Sequence, residues 1–452
     1  MVLNLQGLTK NPGHVGLAVK LGKDEMSNLK RMTLMSAAAC ALIAQVAFGQ
    51  ADGYYSRDKY EAVRDRAQPE FDPEPVRLGT FLVRSNAELG ITSNDNIFAT
   101  SASEQSDVIA RAGAQVSATT DWSVHAVGFD ASAFHNEYQD FGDESFSDLT
   151  GRVRGRLDVS RSFSLGGAVF AEKLNEPRYE FVNAFSSDKP IEYTRTGAVL
   201  DANYENDRVR WVNSFGVTEE DFEDGTSLAG LDVDQDFRDR SETNARSRLS
   251  YAVSPNFAVF TQGSISNSEY DSEQLLAGVL RSRDSKGYTI AGGVNFELVS
   301  LIRGDIAVGY LNEEKDDAFF ADVSGLSVDA DLQWFPTRLT TVNFNAARRV
   351  VDVGAFNSPS ALETRFGAGI DHELRRNIVL SGYAGIASYE YEETDRKDEN
   401  LEFGASATYK MNKRVHWEVF ARNRERDVSG SGVFGDPSYS QAQFGIGLKL
   451  YP

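Results

Sequence analysis

The residues best suited to chemistry are scattered along this chain. Its histidines, His14, His125, His135, His372 and His416, show none of the spacings that bind zinc. A hydrolase built on a barrel would set serine and histidine on an outer rim, and His135, followed by Asn136 and Glu137, is the candidate base. Asp232-x-Asp234-x-Asp236 has the start of a calcium loop, but Phe237 stands where the glycine belongs and Thr243 where the bidentate glutamate should be. It reads as a solvated acidic loop, with calcium bridging to lipopolysaccharide phosphates as the alternative. No cofactor or metal is expected, and the chain reads as a non-enzyme.

What does recur is charge on one face of alternating segments. Arg111, Arg152, Arg154, Arg156, Arg195, Arg240, Arg246, Arg248, Arg349, Arg365, Arg422 and Arg424 are expected to share an inward face with Glu88, Asp130, Asp158, Glu242, Glu297, Asp329, Asp331, Glu363, Asp371, Glu402 and Glu418. The plainer reading is that they pair across neighbouring strands and keep a wall rigid and wet. The functional reading is that guanidinium forks and carboxylates offer weak, exchangeable hydrogen bonds to sugar hydroxyls or uronates passing a pore.

The elements that would position these side chains are strands. In 148–160, Leu149, Gly151, Val153, Gly155, Leu157 and Val159 alternate with Thr150, Arg152, Arg154, Arg156 and Asp158, the period of two that puts one set on each face. The same alternation opposes Phe366, Ala368 and Ile370 to Glu363, Arg365, Asp371 and Glu373, and Leu401, Phe403, Ala405, Ala407 and Tyr409 to Glu402, Ser406, Thr408 and Lys410. Short polar turns at Thr120-Asp121, Ser160-Arg161, Asn206-Asp207, Ser254-Pro255-Asn256, 300–303, Pro336-Thr337-Arg338, Arg375-Arg376-Asn377 and Asn412-Lys413-Arg414 recur about every 36 to 49 residues, room for two tilted strands and a loop. Between them lie longer, more acidic stretches: 94–106, 136–146, 175–190, 219–239, 271–284, 313–319, 354–361, 389–400 and 429–438. Trp122, Trp211, Trp334 and Trp417 all fall near the short turns, where an interfacial girdle belongs. The fold class is therefore all-β: a transmembrane antiparallel up-and-down barrel of about 18 strands, an even number as bacterial barrels require. A soluble sandwich shares the alternation but not the uneven loops.

Bulk properties narrow the partners. The chain has 452 residues and a net charge of −21, the opposite of a phosphate-binding footprint, so no nucleic-acid partner is expected. The one cysteine, Cys40, lies in the leader, so a mature chain has no thiol for a disulfide or metal. Outside that leader no apolar run of about 20 residues suggests a membrane helix.

Three regions follow. Residues 1–49 are a leader with a Sec signal peptide: Lys30-Arg31 precedes an apolar run from Met32 to Phe48, with small residues at Ala47 and Gly49 placing cleavage after Gly49 or Ala51. Its mixed-charge first 25 residues make Met26 or Met32 the expected start. Residues 50–76 carry Pro69, Pro73 and Pro75 and read as a periplasmic lead-in, a tether or else a luminal plug, with a short helix around 58–66. Residues 77–452 are the barrel.

Two stretches carry a family resemblance. Arg64-Asp-Arg-Ala-Gln-Pro-Glu-Phe-Asp-Pro-Glu-Pro-Val-Arg-Leu-Gly-Thr-Phe81 and Ile91-Thr-Ser-Asn-Asp-Asn-Ile-Phe-Ala-Thr100 resemble the β-barrel porins of Gram-negative exopolysaccharide gene clusters, the BBP2-like family. Phe71 replaces the family's tyrosine, and Glu74-Pro75 a usual Leu-Gly pair. The resemblance implies an outer-membrane secretion porin of about 18 strands acting with a periplasmic polysaccharide export protein, polysaccharide being the cargo. An uptake porin, general or sugar-selective, and a structural or surface-attachment barrel without transport are the alternatives. Other expected partners are outer-membrane lipid, lipopolysaccharide and the barrel assembly machinery. The closing strand, 439–452, puts Ala442, Phe444, Ile446, Leu448 and Leu450 on one face, and its Gln443-x-Gly445-x-x-Leu448-x-Leu450 has the spacing of the C-terminal assembly signal. Because proline cannot donate to a ladder, Leu450 is expected to be the last paired residue before Tyr451-Pro452.

Overall fold

The computed structural model describes residues 61–179, 187–227, 230–276, 278–298, 301–355, 358–392, 394–430 and 438–452. The leader, its cysteine, the start and cleavage sites, and the lead-in before Glu61 lie outside them. The wall strands are β1 Phe81–Asn94, β2 Asp107–Thr120, β3 Ala126–Tyr138, β4 Phe146–Asp158, β5 Phe163–Asn175, β6 Glu192–Asn206, β7 Val209–Phe222, β8 Arg240–Ser254, β9 Phe257–Tyr270, β10 Ser285–Leu298, β11 Ile302–Lys315, β12 Val323–Thr337, β13 Thr340–Ala355, β14 Ser358–Arg375, β15 Ile378–Glu390, β16 Lys397–Lys410, β17 Val415–Ser429 and β18 Tyr439–Leu450. Each pairs antiparallel with the next, and β18 returns to β1 from Asn94↔Gln443 to Ala87↔Leu450, closing an 18-strand barrel. Closure gives each wall strand two partners, the condition for carrying backbone through hydrocarbon.

The seam is finished by the lead-in. Below Ala87 the edge of β1 is taken up by Val76–Leu78, from Val76↔Val83 to Leu78↔Phe81. Gly79, at φ +62°, occupies the first turn position, where a side chain would be strained. Leu450 is the last residue in the ladder, paired to both Ala87 and Val415. The Tyr451 N–H still donates to the Arg414 carbonyl at 2.8 Å, and its ring tucks inward against His416. Burial pushes the Tyr451 phenol up to about 12.

Alternation sorts the two faces as the patterning expects. Phe444, Ile446 and Leu450 are exposed on the outside while Gln441 and Gln443 are buried inside, and all four tryptophans are exposed near the short-turn end. One expected loop is not a loop. At 354–361, expected to be one of the longer connections, β13 and β14 instead stay paired from Arg349↔Glu363 through Asp352↔Ser360 to Ala355↔Ser358. The reason is tertiary: both strands leave the wall here and find partners across the lumen.

Candidate functional site: a charged lumen narrowed at both mouths

Glycine and aromatic residues build the inner wall. The Phe420 ring lies over Gly445, where an added Cβ would meet it; the same contact sets Phe134 over Gly113, Phe170 over Gly197 and Phe260 over Gly293. Guanidinium groups cap these rings, Arg111 over Phe134 at 4.1 Å, Arg152 over Phe170 at 5.2 Å, Arg248 over Phe260 at 3.5 Å and Arg422 over Phe420 at 5.6 Å. These inward aromatics were not foreseen, because membrane barrels lead one to expect aromatic residues on the lipid side. An inward phenylalanine opposite a glycine one strand away was the readable signal.

The charged residues singled out from the sequence lie on this inward face, and most form the cross-strand pairs of the plainer reading. Arg154 meets Asp130 and Thr119; Arg156 meets Asp158 at 3.0 Å; Arg195 is held by Glu172 at 2.8 Å. Arg111 approaches Glu88 at 3.8 Å, and Glu88 and Glu418 share Lys449 at 3.4 and 3.5 Å. Arg246 reaches Gln262 at 3.2 Å and Asp329 at 3.9 Å, and Arg248 grips Asp305. Arg349 and Arg365 converge on Glu363 at 2.9 and 2.7 Å. Arg424 meets Glu402 at 3.3 Å, while Arg422 donates to Gln443 at 2.6 Å, so this residue, expected in the assembly signal, braces the wall. Glu297 stands opposite Arg303, Asp331 opposite Asp305, and Glu242 opposite Thr218 and Ser268. Leu448 and Leu450 belong to the outward set of β18, across from Trp417 and Val415 respectively.

Two extracellular-side segments narrow this lumen. Pairing of β12 with β13 stops at Val328↔Arg348, and that of β14 with β15 at Leu362↔Glu390. The hairpin 349–361 then leans inward. Asp352 accepts from Arg240 of β8 at 2.9 Å and from the Tyr270 hydroxyl of β9, with Arg283 at 3.9 Å. Leu362 and Val350 pack on Leu311 and Val323, and Val353 and Ala361 on Tyr389 and Tyr391. From another side, Tyr179 in the β5–β6 connection lies under Arg424 of β17, ring to guanidinium 4.1 Å. Its neighbour Arg178 is anchored by Glu144 at 2.7 Å, and Glu176 holds Arg238 of the β7–β8 connection at 3.2 Å.

At the periplasmic mouth, the lead-in lies as a strap across β13–β17. Its residues 62–66 form one helical turn, and the start of the short helix expected around 58–66 lies outside the described residues. The Val63 N–H donates to Thr341 at 3.0 Å, Arg64 to Asp371 at 2.6 Å and Ser381 at 2.8 Å, and Arg66 to Glu373 at 2.7 Å. The other half reverses the charges: Asp72 accepts from Lys410 at 2.9 Å, Glu74 pairs with Lys413, and Glu70 stands 3.7 Å from Arg376. The Lys413 ammonium holds the Glu74 carboxyl below its ordinary range. His416 Nε2 lies 3.0 Å from the Phe71 carbonyl.

The remaining candidates resolve differently. Asp234 and Asp236 gather with Asp224, not with Asp232. Coulombic repulsion from Asp224 and Asp234 pushes the Asp236 carboxyl up, and the cluster is a solvent-exposed loop whose carboxylates already accept the Gln235 and Asp236 N–H groups. His125 sits at a short turn and His372 at the end of β14 beside Thr340. His135 lies on the outward face, its ring between Ser147 and Glu137.

Solved structures similar to the chain include "Copper transporter OprC" (11% identity, TM-score 0.48, covering 84% of this chain and 81% of that one), a BenF-like porin from Pseudomonas fluorescens Pf-5 (11%, 0.44, 82% and 99%) and Pseudomonas aeruginosa OpdK with vanillate (11%, 0.46, 82% and 99%). No match is found among curated proteins. The family described as "Putative beta-barrel porin 2" matches residues 68–451, and the chain belongs to that family as an outer-membrane β-barrel of porin type.

Proposed function

We propose that this porin is the outer-membrane channel for secretion of an exopolysaccharide, delivered by a periplasmic polysaccharide export protein after a Sec signal peptide has directed the barrel across the inner membrane. The observation that carries the reading is the wall itself: aromatic faces capped by guanidinium groups, with carboxylates alongside. Rings offer apolar faces to sugar C–H surfaces, while guanidinium and carboxylate groups exchange hydrogen bonds with hydroxyls. Because the charges are already paired, no single contact holds a sugar tightly, which suits a polymer in transit. Export machinery on the periplasmic side would meet the strap first, and the strap's exchangeable ion pairs suit a cover that yields to cargo. Gln443, Gly445, Leu448 and Leu450 serve as the signal for the assembly machinery.

Deleting the gene and assaying surface polysaccharide tests the reading. Loss of bound polysaccharide with an otherwise intact envelope is expected; unchanged polysaccharide would reject secretion. Changing Arg152, Arg154 and Arg156 together to glutamine should lower export and alter conductance, and if neither moves those arginines are wall alone.

A further inference from the structure

On the lipid-facing side, apart from the lumen, a serine, a histidine and a carboxylate stand in line. Ser147 Oγ is 2.9 Å from His135 Nδ1, and His135 Nε2 is 2.9 Å from Glu137. His135 and Ser147 are directly paired residues of β3 and β4, near the extracellular ends of both strands. His135 and Glu137 are at least half exposed, so the group opens onto the head-group level of the outer leaflet. With the ring proton on Nε2 donated to Glu137, Nδ1 is left to accept from the Ser147 hydroxyl. That is the relation of nucleophile, base and orienting carboxylate that activates a serine. At the end of β5, Asn175 Nδ2 donates to the Ser147 carbonyl at 3.0 Å and to Asp148 at 3.3 Å. These bonds hold Asn175 against the Ser147 backbone, so it positions the serine.

Below this row the same face forms an apolar lane. The next outward pairs toward the periplasm are Ala133↔Leu149, Ala131↔Gly151 and Phe129↔Val153. Small residues make its floor, exposed Leu149 its wall, and Phe129 and Val153 its end, about 20 Å along the strands. An acyl chain laid in that lane brings its ester to Ser147.

We infer that Ser147, His135, Glu137 and Asn175 form an acyl-ester hydrolase site for lipids of the outer leaflet. Ser147 Oγ adds to the ester carbonyl as His135 Nδ1 takes its proton. The bond to the alcohol oxygen breaks, and the alcohol leaves with that proton. Water, deprotonated by the same nitrogen, then attacks the acyl-enzyme, releasing the fatty acid and restoring the serine. Ser147 and His135 are the catalytic residues; Glu137 positions the ring. This activity does not depend on the secretion reading, since none of the four residues faces the lumen.

The test uses the purified full-length barrel in detergent, with a fluorophosphonate probe and two lipid substrates assayed separately, phosphatidylethanolamine and lipopolysaccharide. Labelling at Ser147 is expected, lost in Ser147→Ala and reduced at least roughly a hundredfold in His135→Ala, with heat-modifiable migration showing that each variant is folded. Glu137→Gln should shift the pH profile of labelling. Fatty acid released from one lipid or the other identifies the source of the ester. Release from neither lipid above the Ser147→Ala background, or labelling that is unchanged in folded His135→Ala, overturns the assignment.

Discussion

The two mouths of this barrel are narrowed by different kinds of contact. On the extracellular side the hairpin 349–361 is held by Asp352, which meets Arg240 and Tyr270 in a part-buried network, and by apolar packing of Val350 on Leu311, Val323 and Leu362. On the periplasmic side the strap 61–75 is held by a row of ion pairs, part-buried at Asp371, Glu373 and Asp72 and open to water at Glu70 and Glu74, and buries only Ala62 and Val63 as apolar anchors. Buried pairs are costly to break because the surviving charge is left uncompensated, whereas exposed pairs exchange with water and salt at little cost. The hairpin, with its apolar packing, is therefore expected to be the harder of the two to displace, and the Glu70–Glu74 end of the strap the easier.

The sharpest way to break that contrast is at Asp352. Asp352→Ala leaves Arg240 with Glu220 alone and the Tyr270 hydroxyl without its acceptor, and a loss of about 2–3 kcal/mol in hairpin docking is expected. Hydrogen exchange should rise across 349–361 while the β1–β18 seam stays protected. If protection there is unchanged, the hairpin is held by its apolar face alone.

A smaller effect is expected from Arg64→Glu with Arg66→Glu, which sets the strap against Asp371 and Glu373. Glutamates facing these largely buried carboxylates should undock the strap without lowering the thermal midpoint of the barrel. The chain offers a clean readout because Cys40 is its one cysteine. A Val63→Cys, Thr341→Cys pair in a Cys40→Ser background should oxidise to a disulfide in the parent and fail to do so in the charge-reversed form. Equal crosslinking in both would mean the arginines do not hold the strap.

The smallest effect concerns pH. In the 223–239 connection, Asp239 is raised to about 6, chiefly by burial, with Asp221, Asp236 and Asp271 adding repulsion against a hydrogen bond from the Phe222 N–H. For an acid whose folded value is raised, the stabilising share is full below the ordinary aspartate range and is lost as pH rises through about 6. Amide exchange in this connection, corrected for its intrinsic pH dependence, should therefore slow between pH 7.5 and 5. The strap, where Lys413 instead holds the Glu74 carboxyl below its ordinary range, should not follow it.

Much of the barrel was legible in the sequence because its rule is local. The period of two put Phe444 and Ile446 outside and Gln441 and Gln443 inside, and the short turns marked one rim. The inward arginines were legible for the same reason, and their partners were often the nearest carboxylate one strand away. What escaped was non-local. Nothing near Asp352 announces Arg240, and the midway position of 354–361 between short turns gives no sign of a hairpin that leaves the wall for a distant partner. The strap depends on Arg64 meeting Asp371, 307 residues away. His135 was visible as a candidate base, but Ser147 becomes its partner only through the β3–β4 register.

Single-channel conductance in planar bilayers tests the two-mouth account most directly, comparing the parent, the Arg64→Glu/Arg66→Glu form and Asp352→Ala at low and high salt. The parent should open further at high salt than bulk conductivity predicts, as screening frees the strap. The strap variant should be open already at low salt, and Asp352→Ala should widen the channel at both. Identical conductance in all three, scaling only with bulk conductivity, would contradict the account.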